Sequence, residues 1–210
     1  MNRSPAPNRR ADARRSRAAI LDAALRLLDA DPDAGVEAIA AAAGVTRQTV
    51  YAHFSSRERL LDAVLDRLTE EAVAAMDAAD LDAGSAADAL LRLLDAGSRT
   101  AGRYPVLLRR ISSLPLSPQA DRDRHAPVAD RLRRVIRRGR ENGEFDDGLP
   151  LDWQVAVTIK LGHAAGEEAE AGRMSDEEAA YALRTSLLRV LGAGRSPTGD
   201  EGDPGSAARS

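Results

Sequence analysis

Apolar residues recur every three or four positions along most of the chain, which is the spacing of one face of an α-helix. In the first such segment the apolar positions are Ile20, Leu21, Ala24, Leu25, Leu27 and Leu28. The same spacing predicts nine helices, at about residues 14–29, 36–43, 46–54, 56–80, 85–103, 106–112, 128–141, 152–171 and 176–192. Because β-branched runs are few, the predicted fold class is all-α.

The segments between these helices follow the distribution of proline and glycine. Residues 1–13 contain two prolines and no apolar periodicity, so we expect a disordered arm. Residues 113–127 contain three prolines and are predicted to form a long loop. The tail, 194–210, is rich in Gly, Ser, Pro and Asp and is also predicted to be disordered. Capping boxes are predicted at Ser55 with Glu58 and at Ser175 with Glu178.

The second and third predicted helices are short and are joined by a tight turn containing Gly44, where we expect a Cβ to clash. This is the sequence form of a helix-turn-helix, whose second helix can lie in the major groove of DNA. Counting 100° per residue from Thr46 places Val50 and Phe54 on one side of that helix. We therefore predict that these two side chains face the core, together with Ile39, Ala43 and Val45.

The exposed residues of this recognition helix suit a duplex. Arg47 flanks the inner side of the helix, but it lies in the first turn, where its long side chain can swing outward. Arg47 matches guanine O6 and N7, Gln48 matches adenine, and Ala52 suits a thymine methyl group. A second group of side chains offers donors for phosphate oxygens, which position a helix without reading sequence. These predicted phosphate contacts are Thr46, Thr49, Tyr51, His53 and Arg57.

The charge distribution agrees with DNA contact at the N-terminal end. The net charge of the whole chain is −3, but residues 1–17 contain six arginines and one aspartate. A basic arm ahead of an acidic body favours polyanion binding at that end. Direct DNA contact by the arm and a merely solubilising role remain equal alternatives.

Several other functions have little support in the sequence. There is no cysteine, no apolar run long enough to span a bilayer and no apolar segment behind the basic N-terminus, so we expect a cytoplasmic protein without membrane contact. No catalytic motif, cofactor site or metal site is predicted. His163 and Glu167 share a helix face, but an ordinary surface pair is favoured over a metal site. For Trp153, core packing is favoured over pocket lining or a dimer seam.

Residues 39–61 resemble the signature of the TetR family of ligand-responsive transcriptional repressors. The family pattern is an Ile-Ala-x-x-Ala-Gly-Val helix, a Ser or Thr that starts the recognition helix, then Tyr-x-His-Phe and a basic residue before an acidic one. The matching residues are Ile39, Ala40, Ala43, Gly44, Val45, Thr46, Tyr51, His53, Phe54, Arg57, Glu58 and Leu60. Arg57 stands where the family usually has lysine.

The resemblance implies a homodimer that binds a palindromic operator in double-stranded DNA and is released by a small-molecule effector. It implies a DNA-binding domain at 14–60 and a helical ligand-binding and dimerisation domain at 61–193, with the last two helices forming the dimer seam. The sequence does not predict the effector or its lining residues. The alternatives are an enzyme, a helical protein-interaction adaptor and a DNA-binding regulator that responds to no ligand.

Overall fold

The computed structural model describes residues 9–112 and 118–193, and within those ranges it contains nine α-helices and no β-strand. In chain order the helices are α1 (Arg9–Ala30), α2 (Val36–Ala42), α3 (Arg47–His53), α4 (Arg57–Asp77), α5 (Ala86–Ala101), α6 (Pro105–Ser112), α7 (Pro118–Glu141), α8 (Leu151–Glu170) and α9 (Asp176–Val190). The predicted all-α class is confirmed.

The described chain divides into two compact units, and the division falls inside α5 and α7. The first unit contains the described residues up to Asp80 together with Arg92–Arg131. In it, α1 packs against α2, α3, α4 and α6, and α2 packs against α3. Its core is formed by apolar side chains from α1 to α4 and α6, among them Ile20, Leu25, Ile39, Val50, Leu60, Val64 and Leu107.

Asp29, near the end of α1, fixes the beginning of α6 within this unit. Its Oδ1 accepts hydrogen bonds from the backbone N–H groups of Val106 and Leu107, at 2.9 and 3.1 Å. Because the first N–H groups of a helix have no partner inside the helix, the carboxylate satisfies two of them and also interacts favourably with the helix dipole.

The second unit contains Leu81–Leu91 and the described residues from Leu132 onward, and in it α8 packs against α9. The segment after α7 contacts two other elements there. Glu144 Oε2 accepts from the Ala86 N–H at 2.6 Å and so caps α5, while the Asp146 N–H donates to the Leu191 carbonyl at 2.8 Å. The Phe145 ring is buried against Gly139, where a Cβ would overlap it.

Two predicted irregular segments are partly helical. Helix α1 begins at Arg9, so the last five residues of the predicted arm 1–13 continue the helix, with the Arg14 guanidinium donating to the Arg10 carbonyl at 3.3 Å. In the predicted loop 113–127, Pro118 begins α7 and Pro127 lies inside it. A proline suits the first turn, and an internal proline removes one hydrogen bond without ending this helix. Residues 1–8, 113–117 and 194–210 lie outside the described residues.

The helix caps match the predictions in one case of two. The capping box of Ser175 and Glu178 is confirmed, with both reciprocal hydrogen bonds present. The box at Ser55 is wrong by one residue, because Ser56 Oγ accepts from the Arg59 N–H at 3.3 Å and is the N-cap of α4. The residue three positions after this cap is therefore Arg59, which cannot complete a capping box.

The prediction of core packing for Trp153 is wrong, since the residue is 57% exposed on α8. Tyr181 on α9 is 72% exposed. Neither periodicity nor composition separates a core aromatic from one left on the surface of a single chain.

Candidate nucleic-acid interface

The turn between α2 and α3 is closed by backbone hydrogen bonds. The Gly44 N–H donates to the Ala41 carbonyl at 3.1 Å and the Val45 N–H donates to the Ala40 carbonyl at 3.0 Å, which is the Schellman pattern. Gly44 has φ +67°, and a Cβ at this position would meet no atom within 4 Å. The predicted clash is therefore wrong, and glycine is favoured here because other residues rarely adopt a left-handed backbone.

The orientation of α3 is set by the two side chains predicted to face the core. Val50 is 1% exposed and Phe54, at the C-terminal cap, is 4% exposed, as the helical phase predicted. Ile39 is fully packed beside them, while Ala43 and Val45 are partly buried. Since one face of α3 is buried, the opposite face of this helix is open to solvent.

The predicted base-reading residues are all exposed to solvent. Arg47, Gln48 and Ala52 are exposed, and Tyr51 is 40% exposed beside them. Arg47 already has partners in the unbound chain. Its guanidinium lies over the Tyr51 ring, 5.4 Å from the centroid, and Nη1 forms an ion pair with Glu37 of α2. The Tyr51 side chain, and after it the Glu37 carboxylate, raise the pKa of Arg47 above its ordinary value.

The hydroxyl groups of Thr46 and Thr49 lie together at the beginning of α3. Thr46 Oγ1 accepts from the Thr49 N–H at 3.1 Å and so forms the N-cap. The two Oγ1 atoms are 2.9 Å apart, so one hydroxyl donates to the other. One O–H of the pair therefore remains available to a phosphate oxygen.

His53, at the end of α3, is half-buried and bonded to α1. Its Nε2 lies 2.7 Å from Ser16 Oγ, and the Ser16 hydroxyl also lies 3.1 Å from the Ala13 carbonyl. A carbonyl only accepts, so the Ser16 hydroxyl donates to Ala13 and accepts from His53 Nε2–H. In the neutral ring Nδ1 is then an acceptor, and only the imidazolium offers an Nδ1–H to a phosphate.

The structure directs Arg57 toward the protein rather than toward solvent. Its Nη2 donates to the Pro32 carbonyl at 3.1 Å, and Nη1 donates to the Ala34 carbonyl. Both acceptors belong to the loop before α2. A basic residue at the start of a helix suggests a phosphate contact when only the sequence is known. In the folded chain, the loop before α2 places two carbonyl groups within reach of the Arg57 guanidinium.

Sequence reasoning missed two residues of this interface, Ser16 and Glu37. Ser16 is 37 positions away from His53, and Glu37 lies in a different helix from Arg47. No local spacing could connect either pair. Glu37 can nevertheless be singled out in the sequence, because an acidic side chain close to predicted DNA contacts opposes the surrounding positive charge.

Residues 9–112 and 118–193 contain neither a membrane-spanning helix nor a metal-binding group of side chains. Within them no helix is both long and apolar enough to cross a bilayer. The same part of the chain contains no group of three or more His, Cys, Asp or Glu side chains arranged to hold a metal ion.

The helix-turn-helix matches a known domain. The family model described as "Bacterial regulatory proteins, tetR family" matches residues 20–64, which include α2, α3 and the turn between them. Residues 20–64 therefore form a TetR-family domain. The expected resemblance to the TetR family is thereby confirmed.

Two curated relatives match part of the chain. The transcriptional repressor LfrR of Mycolicibacterium smegmatis is 41% identical over 81 residues, which are 39% of this chain and 43% of LfrR. The HTH-type regulator TtgW of Pseudomonas putida is 47% identical over 57 residues, 26% of this chain and 42% of TtgW. The chain therefore matches less than half the length of the curated relatives.

Solved structures of TetR-like proteins share the fold over most of the chain. A structure of LfrR in complex with proflavine is 28% identical, covers 83% of this chain and 95% of LfrR, and superposes with a TM-score of 0.55. A structure of RolR in complex with resorcinol is 22% identical, covers 87% of this chain and 90% of RolR, and has a TM-score of 0.68. At that identity the RolR likeness concerns the fold alone.

Proposed function

We propose that this protein is a transcriptional repressor that binds double-stranded DNA through residues 14–60 and reads base edges with α3. The observation that carries the proposal is the pattern of burial along α3: Val50 and Phe54 are buried, while Arg47 and Gln48 are exposed. Arginine matches guanine and glutamine matches adenine in the major groove. The relative LfrR is itself named a transcriptional repressor.

The proposal assigns the remaining residues of the interface to positioning. One hydroxyl of Thr46 and Thr49, together with Tyr51 and the imidazolium form of His53, contacts phosphate, and Ala52 packs on a thymine methyl group. Contacts to phosphate fix the register of the helix, so their loss weakens binding to all sequences alike.

Binding of a palindrome requires two copies of α3. We propose a homodimer formed through α8 and α9, in which the exposed aromatics Trp153 and Tyr181 become buried. Large exposed aromatic side chains on two neighbouring helices are typical of a surface that a partner covers. The dimer holds its reading helices about 34–36 Å apart, the separation of successive major grooves on one face of DNA.

A small organic effector, we propose, binds within residues 61–193 and releases the operator. The support comes from relatives, since LfrR has been solved with proflavine and RolR with resorcinol. An effector changes the conformational equilibrium only through its different affinities for the two states. It therefore has to prefer a conformation in which the two reading helices do not match successive grooves.

The deciding experiment selects bound duplexes from a random pool with the purified protein and repeats the selection with candidate small molecules. We expect enrichment of one palindromic sequence, and loss of that enrichment with the effector. Enrichment that no small molecule reverses would support a regulator without ligand response. No salt-sensitive duplex binding even at low salt would contradict DNA binding and favour a protein-interaction adaptor.

Gln48→Ala tests the base-reading role within the same assay. We expect a changed base preference at one position of each half-site, with affinity for random duplex nearly unchanged. Equal losses of affinity on the selected and the random duplex would show that Gln48 does not read sequence.

A further inference from the structure

Glu37 is an acidic residue placed among the DNA-facing side chains of the first unit. It lies in the first turn of α2 and forms an ion pair with Arg47 at the beginning of α3. The side chain of Glu37 is 72% exposed and that of Arg47 is 57% exposed. The pair thus lies on the surface where the two helices of the helix-turn-helix meet.

The pair changes the charge that this surface presents to DNA. In a helix-turn-helix the first helix crosses the DNA backbone while the N-terminal residues of the second contact base edges. A carboxylate on the first helix is therefore repelled by phosphate, and Arg47 contributes no net positive charge while it is paired. Non-specific binding depends on the number of phosphates that cations neutralise.

When Arg47 leaves Glu37 for a partner on DNA, guanine is favoured over phosphate. An exposed ion pair contributes little net stability, so a stronger partner can replace it. A bidentate contact of arginine with guanine O6 and N7 is such a partner, and it also rejects the other bases. The Tyr51 ring, whose centroid is 5.4 Å from the Arg47 guanidinium carbon, is a second partner of this side chain.

We propose that Glu37 is a specificity-determining residue: it holds Arg47 in an ion pair on random DNA and releases it to a guanine in the operator. The closed pair weakens binding to every sequence that offers Arg47 only phosphate. This inference rests on the proposed function of α3 as the reading helix.

The test compares wild type with Glu37→Gln on the selected operator and on a random-sequence duplex over a range of salt concentrations. Glutamine keeps the size of the side chain and removes its charge. On random duplex we expect about five- to tenfold tighter binding near 0.1 M salt and a salt slope steeper by about one, because Arg47 can then neutralise one more phosphate. On the operator we expect a smaller gain, so the ratio of the two affinities falls.

Arg47→Ala supplies the background that separates exchange from simple repulsion. If Glu37 acts mainly through Arg47, Glu37→Gln should give a clearly smaller gain on random duplex when Arg47 is absent, namely the part that comes from simple repulsion. A gain of the same size in that background, or equal gains on operator and random duplex, would overturn the inference.

Glu70→Gln is the matched control, since Glu70 on α4 is also 72% exposed and forms an ion pair with Arg67 at 3.9 Å. We expect it to change neither affinity nor salt slope by a comparable amount. Different results would contradict the proposed DNA-binding function and the proposed role of Glu37. Wild type that binds no duplex contradicts the proposed function, whereas wild type that selects an operator but loses no specificity in Glu37→Gln contradicts only the role of Glu37.

Discussion

Ser16 Oγ lies 2.7 Å from His53 Nε2, so α1 is bonded directly to the last residue of α3. The next residue of α1 contacts the same end, because the Arg17 guanidinium lies over the Phe54 ring at 5.3 Å from its centroid. Helix α3 is therefore held at its C-terminal end by α1 as well as by the core beneath it.

Ser16→Ala should weaken DNA binding more than it weakens the fold. The substitution removes the acceptor that orients the His53 ring, and we expect a two- to tenfold loss of affinity on operator and random duplex alike, from a hydrogen bond worth about 0.5–1.5 kcal/mol. Binding titrations and denaturant unfolding measure the two effects. Ser98→Ala, at an exposed position of α5, is the control and should change neither. Unchanged binding in Ser16→Ala would remove this role from the hydrogen bond.

Arg57→Ala distinguishes a contact to phosphate from a contact to the loop. The structure shows bonds to the carbonyls of Pro32 and Ala34, so we expect the free energy of unfolding to fall by about 1–3 kcal/mol. The salt slope of DNA binding should stay near that of wild type. Arg59→Ala is the control, since Arg59 is exposed and paired only weakly with Asp62, at 3.6 Å. A slope flattened by about one at unchanged stability would return Arg57 to the phosphate-contact group.

Asp29→Ala should destabilise the first unit through the beginning of α6. The carboxylate accepts from two backbone N–H groups there, and removal of such a cap costs about 1–2 kcal/mol. Asp29→Asn keeps an acceptor and loses the charge, so its loss should be smaller. Denaturant unfolding measures both, with Asp66→Ala as an exposed control on α4. Equal losses for alanine and asparagine would assign the effect to charge alone.

Gly139→Ala should destabilise the second unit because the new methyl group meets the Phe145 ring. Overpacking of a buried site costs about 1–3 kcal/mol. Gly166 on α8 is the matched helical glycine, since a Cβ there meets no atom of the chain within 4 Å. Its replacement by alanine should not lower the midpoint of thermal unfolding. A comparable loss in both variants would show that the contact with Phe145 is not the cause.

Trp153→Lys should shift the protein from dimer to monomer if α8 and α9 form the seam. Buried aromatic anchors at interfaces contribute about 2 kcal/mol or more, or roughly thirtyfold in the dissociation constant. Sedimentation velocity over a concentration series measures the change, and circular dichroism checks the helix content. Ser98→Lys adds the same charge outside these helices and should leave the dimer intact. A dimer of unchanged affinity in Trp153→Lys would exclude this seam.

The sequence by itself determined the helices, the helix-turn-helix and the two faces of α3. Helical periodicity depends on neighbours three and four positions away, so the burial of Val50 and Phe54 could be predicted from local spacing alone. Caps are also local, and the Ser175 box was visible in the sequence. This local information is ambiguous at two places. Pro118 and Pro127 conceal the first part of α7, and the adjacent serines Ser55 and Ser56 explain the one-residue error in the N-cap of α4.

Only the tertiary structure decided which partners the exposed polar side chains have. Arg57 reaches the loop at Pro32 and Ala34, His53 reaches Ser16, and Arg47 pairs with Glu37. Each of these contacts joins residues on different elements, and a long polar side chain has many partners of equal chemistry along the chain. The packing of α1, α2 and α4 around one core selects among them, because it fixes which groups come within hydrogen-bond distance.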